Sequence, residues 1–278
     1  MSGSLILVAT PIGNLGDLTP RALEVLQTAD VVYCEDTRRT RTLYAANGLK
    51  ANHLVALHEH NEVSQINEII ERMTRGESVA LVSDAGTPGI SDPGSRVVAA
   101  VVAAGFTVTT APGASAVIAA LGISGLPTDR FVMEGFIPRK GAERTACLDS
   151  WSTEQRTIVF YESPKRVSAT FIELAERWPD RPAAVVRELT KIHEEVLRGT
   201  IGEVAQLLSA REFQGEVTVV IGGAPPVAPV SEEVVRDALK AALDDGASVR
   251  DAAAHVAEVL GVAHRVAYEL ALQQRADQ

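Results

Sequence analysis

Three times before residue 117, an apolar run with the length of a buried strand breaks off into a loop of small residues. Leu5 to Thr10 runs into Pro11-Ile12-Gly13-Asn14-Leu15-Gly16-Asp17, Val79 to Val82 into Ser83-Asp84-Ala85-Gly86-Thr87-Pro88-Gly89, and Phe106 to Thr110 into Ala111-Pro112-Gly113-Ala114-Ser115-Ala116. Regular structure cannot persist through Gly, Pro, Ser and Asp at this density. Such loops leave backbone N–H and C=O groups bare, so a flat ligand can lie against them at the carboxyl ends of the strands. The stretch from Val79 to Ala116 holds two of these loops and is the clearest ligand-site signal in the chain.

Helices fill the intervals. Thr19 and Pro20 have the cap and first-turn pattern of a helix start, and Asp92 followed by Pro93 predicts another, with Asp92 as N-cap and Gly105 as the stop. Val31 to Cys34 and Leu54 to Leu57 add strands. The alternation predicts a doubly wound, mostly parallel sheet, expected over residues 1–122. Around Gly122 to Pro127 the pattern breaks. Arg130 to Phe136, Thr157 to Tyr161, Ala183 to Glu188, Glu195 to Thr200 and Glu216 to Ile221 then read as strands, and two of them follow each other directly. That predicts a second α/β domain over residues 123–224 with a mixed sheet. Ala224 to Val230 is proline-rich, and residues 225–230 are expected to be a linker. Residues 231–278 have only helical periodicity, with a Gly261-Val262-Ala263 turn like the joint of a helix-turn-helix.

Composition narrows the function classes. Alanine and valine abound while aromatics are 4%, which suits helices packed closely on sheets better than a β-sandwich. The net charge of −10 argues against a general polyanion binder, so any nucleic-acid contact must come from local basic groups. Cys34 and Cys147 form no CxxC pair, and neither a disulfide framework nor a zinc site is expected. The early apolar run is too short for a leader or a membrane span, which predicts a cytoplasmic protein without membrane association.

The loops also carry a resemblance. LVATPIGNLGDLTPRA at Leu7 to Ala22, CEDTRRT at Cys34 to Thr40, VSDAGTPGISDPG at Val82 to Gly94, PGASA at Pro112 to Ala116, FYESPKR at Phe160 to Arg166 and RELTKIHEE at Arg187 to Glu195 together resemble the ribosomal RNA small subunit methyltransferase I family. That family belongs to the tetrapyrrole methylase-like S-adenosylmethionine (SAM) enzymes, and the likeness runs over essentially the whole chain. It implies 2′-O-methylation of a cytidine in the decoding region of 16S rRNA, presented in the 30S subunit, by a homodimer that binds SAM in a cleft between two α/β domains. Carried over position by position, it implies that Pro11, Asp84, Thr87, Ile90, Ser115, Ala116, Tyr161 and Glu162 meet SAM. In other members of the superfamily a GDP triplet stands where this chain has Ser83-Asp84-Ala85.

Methylating a ribose hydroxyl needs a base or a tight alignment, because the hydroxyl is nucleophilic only as its proton departs. Candidates at strand ends are Glu35, Asp36, His58, Glu62, Glu188 and Lys191. Asp36 is preferred because Arg38, Arg39 and Arg41 beside it could hold phosphates, although such a group is as readily a solvated helix face. Arg139, Lys140 and Arg144, with Lys165 and Arg166, form two further basic patches suited to a structured RNA. His58 and His60 lack further ligands, so no metal is expected. A tetrapyrrole C-methyltransferase is the alternative within the fold. Outside enzymes the alternative is a SAM-responsive nucleic-acid regulator, disfavoured because the helical tail is barely basic.

Overall fold

The computed structural model describes residues 3–50, 53–58, 60–210, 212–226 and 230–276. The chain forms two compact units, Met1–Ala224 and Pro225–Gln278.

The first unit opens with a five-stranded sheet of β1 (Ser4–Val8), β2 (Val31–Cys34), β3 (His53–Ala56), β4 (Ser78–Val82) and β5 (Thr107–Ala111), in the order β3-β2-β4-β1-β5. All its ladders are parallel, with Leu5 opposite Val79 on one side and Val108 on the other. Strands covered on both faces need continuous apolar runs, and β2 is buried at every position. The crossovers are α1 (Pro20–Thr28), α2 (Thr37–Ala46), α3 (Glu62–Thr74) and α4 (Ser95–Ala103), and α5 (Ala116–Ser124) follows β5. Buried side chains fill both faces, Leu26 and Tyr44 on one and Ile69, Met73 and Val101 on the other.

The helix starts follow from local chemistry, with one exception. The hydroxyl of Thr19 accepts from Ala22 N–H ahead of Pro20, and the carboxylate of Asp36 accepts from Arg38 N–H at the head of α2. Asp92 does not cap α4 as its sequence context suggested. That helix begins at Ser95 with Gly94 at the cap position, and its N-terminal N–H groups are met by the buried carboxylate of Glu62 instead. A carboxylate fixed from another element replaced the local cap, because Gly94 takes a φ of 134° that carries the chain away from helical geometry before the first turn.

The second sheet contains β6 (Phe131–Phe136), β7 (Thr157–Glu162), β8 (Pro182–Arg187), β9 (Glu195–Thr200) and β10 (Val217–Ile221), in the order β6-β7-β10-β8-β9. Only β6 and β7 run parallel, and β10 lies antiparallel between β7 and β8. The sheet is therefore mixed, as the directly consecutive strands required. It carries α6 (Ala142–Ser150), α7 (Val167–Arg177) and α8 (Ile201–Ser209), packed over Trp151, Phe160, Phe171 and Leu208. A separate apolar cluster joins α5 to this sheet through Val117, Leu121, Val159, Ala184 and Val220.

The second unit is three helices, α9 (Glu232–Asp244), α10 (Val249–Leu260) and α11 (His264–Ala276), around Leu239, Ala252, Val256 and Leu270. Ser248 caps α10, and Gly261 ends it with φ 65°, the left-handed conformation of a helix stop. Of the expected linker 225–230, residues 227–229 lie outside the described residues.

Candidate functional site

The three small-residue loops of the first sheet are stitched together at the carboxyl ends of its strands. Thr10 and Gly86 exchange backbone hydrogen bonds of 2.9 and 3.0 Å, Ala9 N–H donates to Ala111 C=O, and the Thr87 hydroxyl donates to Ala114 C=O at 3.2 Å. This is the crevice where open α/β sheets bind ligands. A cavity of about 300 Å³ opens beside it. Ile12, Gly86, Thr87, Ile90, Asp92 and Ala116 wall it from the first sheet's side, and Phe136, Tyr161, Glu162, Leu189 and residues 215–218 from the second's. Gly86 and Gly215 both have positive φ and leave backbone bare at the wall.

Five of the eight positions expected to meet SAM border this cavity: Thr87, Ile90, Ala116, Tyr161 and Glu162. Ser115 caps α5 through its hydroxyl next to them. Pro11 and Asp84 instead border a neighbouring cavity of about 310 Å³ with Arg39, Thr40 and Leu43. Adjacent residues of one loop thus face opposite ways, Pro11 toward one cavity and Ile12 toward the other. The Phe136 and Tyr161 rings pack with centroids 5.3 Å apart, and burial, with Asp92 nearby, pushes the Tyr161 phenol above its usual pKa.

The candidate bases differ in their engagement. Asp36 is tied to Arg38 through Nε at 3.1 Å, Nη2 at 2.8 Å and the backbone N–H, and these bonds hold its carboxyl down to about 2. Glu35 is raised, by burial and by the Asp84 carboxylate. Glu188 accepts from Lys191 Nζ at 2.8 Å and from Glu216 N–H at 2.9 Å, which lowers its pKa. Burial pulls the Lys191 ammonium down, but its bonds to Glu188 and Glu216 outweigh that and leave it raised. Glu188 and Thr190 both hold left-handed φ, 51° and 64°, so this loop is strained.

The basic groups also separate. Arg38, Arg41, Arg139, Lys140 and Lys165 are exposed, and Arg39 is exposed but reaches Asp84 at 3.5 Å. Arg166 turns inward, donating from Nε to Glu162 at 2.7 Å and from Nη2 to Ile137 C=O. Arg144 is likewise committed, to Glu173, Thr170 and Pro138 C=O. Both were expected in basic patches suited to RNA, and their bonds to Glu162, Thr170 and Glu173 draw them inward instead. His58 and His60 meet edge to face at 6.0 Å, and among the described residues no group of three or more His, Cys, Asp or Glu is placed to hold a metal. Among the same residues no helix is long and apolar enough to cross a membrane.

Residues 4–205 match the family of Tetrapyrrole (Corrin/Porphyrin) Methylases. The chain is 46% identical over 277 residues to "Ribosomal RNA small subunit methyltransferase I" of Mycobacterium tuberculosis (strain CDC 1551 / Oshkosh), covering 99% of this chain and 96% of that one. It is 44% identical to the protein of that name from Synechocystis sp., covering 99% of each. The chain belongs to the ribosomal RNA small subunit methyltransferase I family. Solved structures place this family's fold in a wider group. A conserved hypothetical protein from Aeropyrum pernix K1 matches with a TM-score of 0.62 at 19% identity, over 100% of this chain and 98% of its own. Uroporphyrin-III-C-methyltransferase from Thermus thermophilus matches with a TM-score of 0.53 at 23% identity, over 79% of this chain and 94% of its own.

Several cavity residues escaped the sequence reading. Leu189 and residues 215–218 come from the second half and carry no glycine-rich signature beyond Gly215. Asp92 lay inside the quoted VSDAGTPGISDPG motif but was assigned to a helix cap.

Proposed function

We propose that this chain transfers the methyl group of SAM to the ribose 2′-oxygen of a cytidine in the decoding region of 16S rRNA. The observation that carries the reading is the cavity between the two sheets, in a chain that shares 46% of its residues with a ribosomal RNA small subunit methyltransferase I over nearly its whole length. About 300 Å³ is at the lower end for a nucleoside-sized ligand. Ile12, Ile90 and Leu189 offer apolar surface to an adenine, bare backbone at Gly215 offers hydrogen bonds, and Asp92 supplies negative charge opposite a cation. The donor set therefore fits SAM, which supplies an electrophilic methyl group when bound.

Thr87, Ile90, Ser115, Ala116, Tyr161 and Glu162 are the proposed cofactor contacts, with Pro11 and Asp84 shaping the loops from the neighbouring cavity. Arg38, Arg39, Arg41, Arg139, Lys140 and Lys165 would meet RNA phosphates. The assembled 30S subunit as substrate, a homodimer, a cytoplasmic setting, and a division into domains 1–122 and 123–224 with a helical domain 231–278 belong to the same proposal.

The test is transfer of labelled methyl from SAM to three acceptors: 30S subunits lacking the modification, naked 16S rRNA, and uroporphyrinogen. Label mapped by nuclease digestion to a 2′-O-methylcytidine supports the proposal and identifies the assembly state used. Label confined to the macrocycle, or no transfer at all, overturns it.

A further inference from the structure

The helix that starts at Ser95 takes its N-terminal acceptor from Glu62, 30 residues upstream of Asp92, and so leaves the Asp92 carboxylate for other use. That carboxylate borders the cavity between the two sheets, beside Thr87, Ile90 and Tyr161. Its position is enforced from both sides. Ser91 holds a left-handed φ of 60°, rare for a residue with a side chain, while Pro93 fixes its own φ and Gly94 N–H is anchored on Glu62 at 2.9 Å. Strain of this kind persists only where the surroundings over-determine it, and it collects at working sites.

Three carboxylates border the cavity, and their engagement distinguishes them. Glu162 already accepts from Ser163 N–H, Arg166 and Thr170. Glu216 is paired with Lys191 at 3.0 Å. Asp92 has the Ser83 hydroxyl nearby and, among the described residues, no ion pair. We propose that Asp92 is the general base of the methyl transfer, receiving the proton of the ribose 2′-hydroxyl.

The inference rests on the methyltransferase reading above and assigns one group within it. The hydroxyl gives its proton to the Asp92 carboxylate as its oxygen bonds the methyl carbon, and the electron pair of the breaking carbon–sulfur bond stays on sulfur. The protonated acid then releases its proton to water. The groups facing Asp92 are Glu35 at the end of β2, Asp84 in the same loop and Tyr161 on β7. Burial, then Glu35, raise the Asp92 carboxyl to about 6, with Asp84 adding to the rise and Ser83 opposing it. Such a base is ionised at neutral pH yet more basic than a solvated aspartate, the range that suits proton abstraction.

The test compares wild type with Asp92→Asn and Glu35→Gln. Asp92→Asn should still bind SAM by calorimetry, severalfold more weakly because the carboxylate also faces the cation, and at saturating SAM should lose roughly 100-fold or more in single-turnover transfer to 16S rRNA. The acid limb of wild-type kcat/KM should fall near pH 6 and move to lower pH in Glu35→Gln, a displacement that a merely structural role would not produce. Calorimetry in buffers of different ionisation enthalpy gives a readout without turnover. Near pH 6, SAM should release protons on binding wild type but not Asp92→Asn, because a cation in the cavity favours the ionised carboxylate. An Asp92→Asn rate within tenfold of wild type, an unmoved acid limb in Glu35→Gln, or equal proton release in both proteins overturns the assignment. Wild type that methylates no RNA defeats the functional reading instead, and the proton-release comparison still tests Asp92.

Discussion

The backbone N–H of Asp36 donates a 3.0 Å hydrogen bond to Oδ1 of Asp84, tying the start of α2 to the loop that leaves β4. Asp36 in turn caps that helix, so the Asp84 carboxylate holds the residue that holds the helix. Asp84→Ala should cost about 1–2 kcal/mol in urea denaturation, while Asp84→Asn, which keeps an acceptor, should cost under about 1 kcal/mol. Equal losses in the two variants would mean that this bond is not what Asp84 contributes.

Glu62 is 4% exposed and receives Gly94 N–H at 2.9 Å and Arg96 N–H at 3.2 Å. Removing it leaves the positive end of α4 without its acceptor. We expect Glu62→Ala to lower stability by about 2–4 kcal/mol and Glu62→Gln by clearly less, read from chemical denaturation midpoints. A Glu62→Ala protein as stable as wild type would show that the cap is dispensable.

Lys165 and Arg166 are neighbours in sequence with different expected phenotypes. Arg166→Ala strips one partner from the buried Glu162 carboxylate, which keeps Ser163 N–H and Thr170, and should cost about 2–3 kcal/mol. Lys165→Ala, at an exposed position, should leave the melting temperature unchanged but weaken RNA binding and flatten its salt dependence. An unaltered salt slope would remove Lys165 from the RNA contact.

Gly215 combines a φ of 91° with a position at which an added Cβ would collide with Glu188 Oε1. Gly215→Ala must push Glu188 off Lys191 and Glu216 N–H at the rim of the cavity. A loss of about tenfold in SAM affinity, about 1.4 kcal/mol, is expected by calorimetry. Unchanged affinity would mean that the 188–191 loop does not shape the ligand's surroundings.

Asp92 also makes a prediction for stability. Its carboxyl lies at about 6 in the folded chain against 3.8 as the reference value, so folding favours its protonated form. The contribution is full below pH 3.8 and declines as pH rises through 6. Asp92→Asn should therefore exceed wild type in stability at pH 7–8, by about 1–2 kcal/mol after allowing for solvent screening of a half-exposed group, with the gap closing toward pH 4. Denaturation at pH 4.0, 6.0 and 8.0 decides it, and a gap constant across pH would exclude this origin.

The first sheet was readable because its strands are short runs of apolar and β-branched residues that end in polar or small residues, as at Val82-Ser83 and Cys34-Glu35. The loops at Thr87 and Ala116 were legible for the same reason. Arg166 misled because charge alone does not show which acceptors lie inside, and Glu162 four residues earlier is buried. Asp92 misled because Asp-Pro before an apolar run is a sound local cap signal, overridden by Glu62 from another element. Leu189 and Gly215 could not be paired from sequence, since only the antiparallel placement of β10 beside β8 brings their loops to one cavity.

The placement of β10 also sets an order on biosynthesis. The first sheet is complete once Ala111 has been made, but the second lacks its central strand until Ile221. β7 and β8 have no partnership with each other except through it. A chain emerging from the ribosome can therefore settle its amino-terminal sheet early, while β7 waits with an open edge for roughly sixty residues of further synthesis and β8 for about half as many. Because residues 215–218 wall the cavity, the nascent chain has no finished ligand site before that last strand docks.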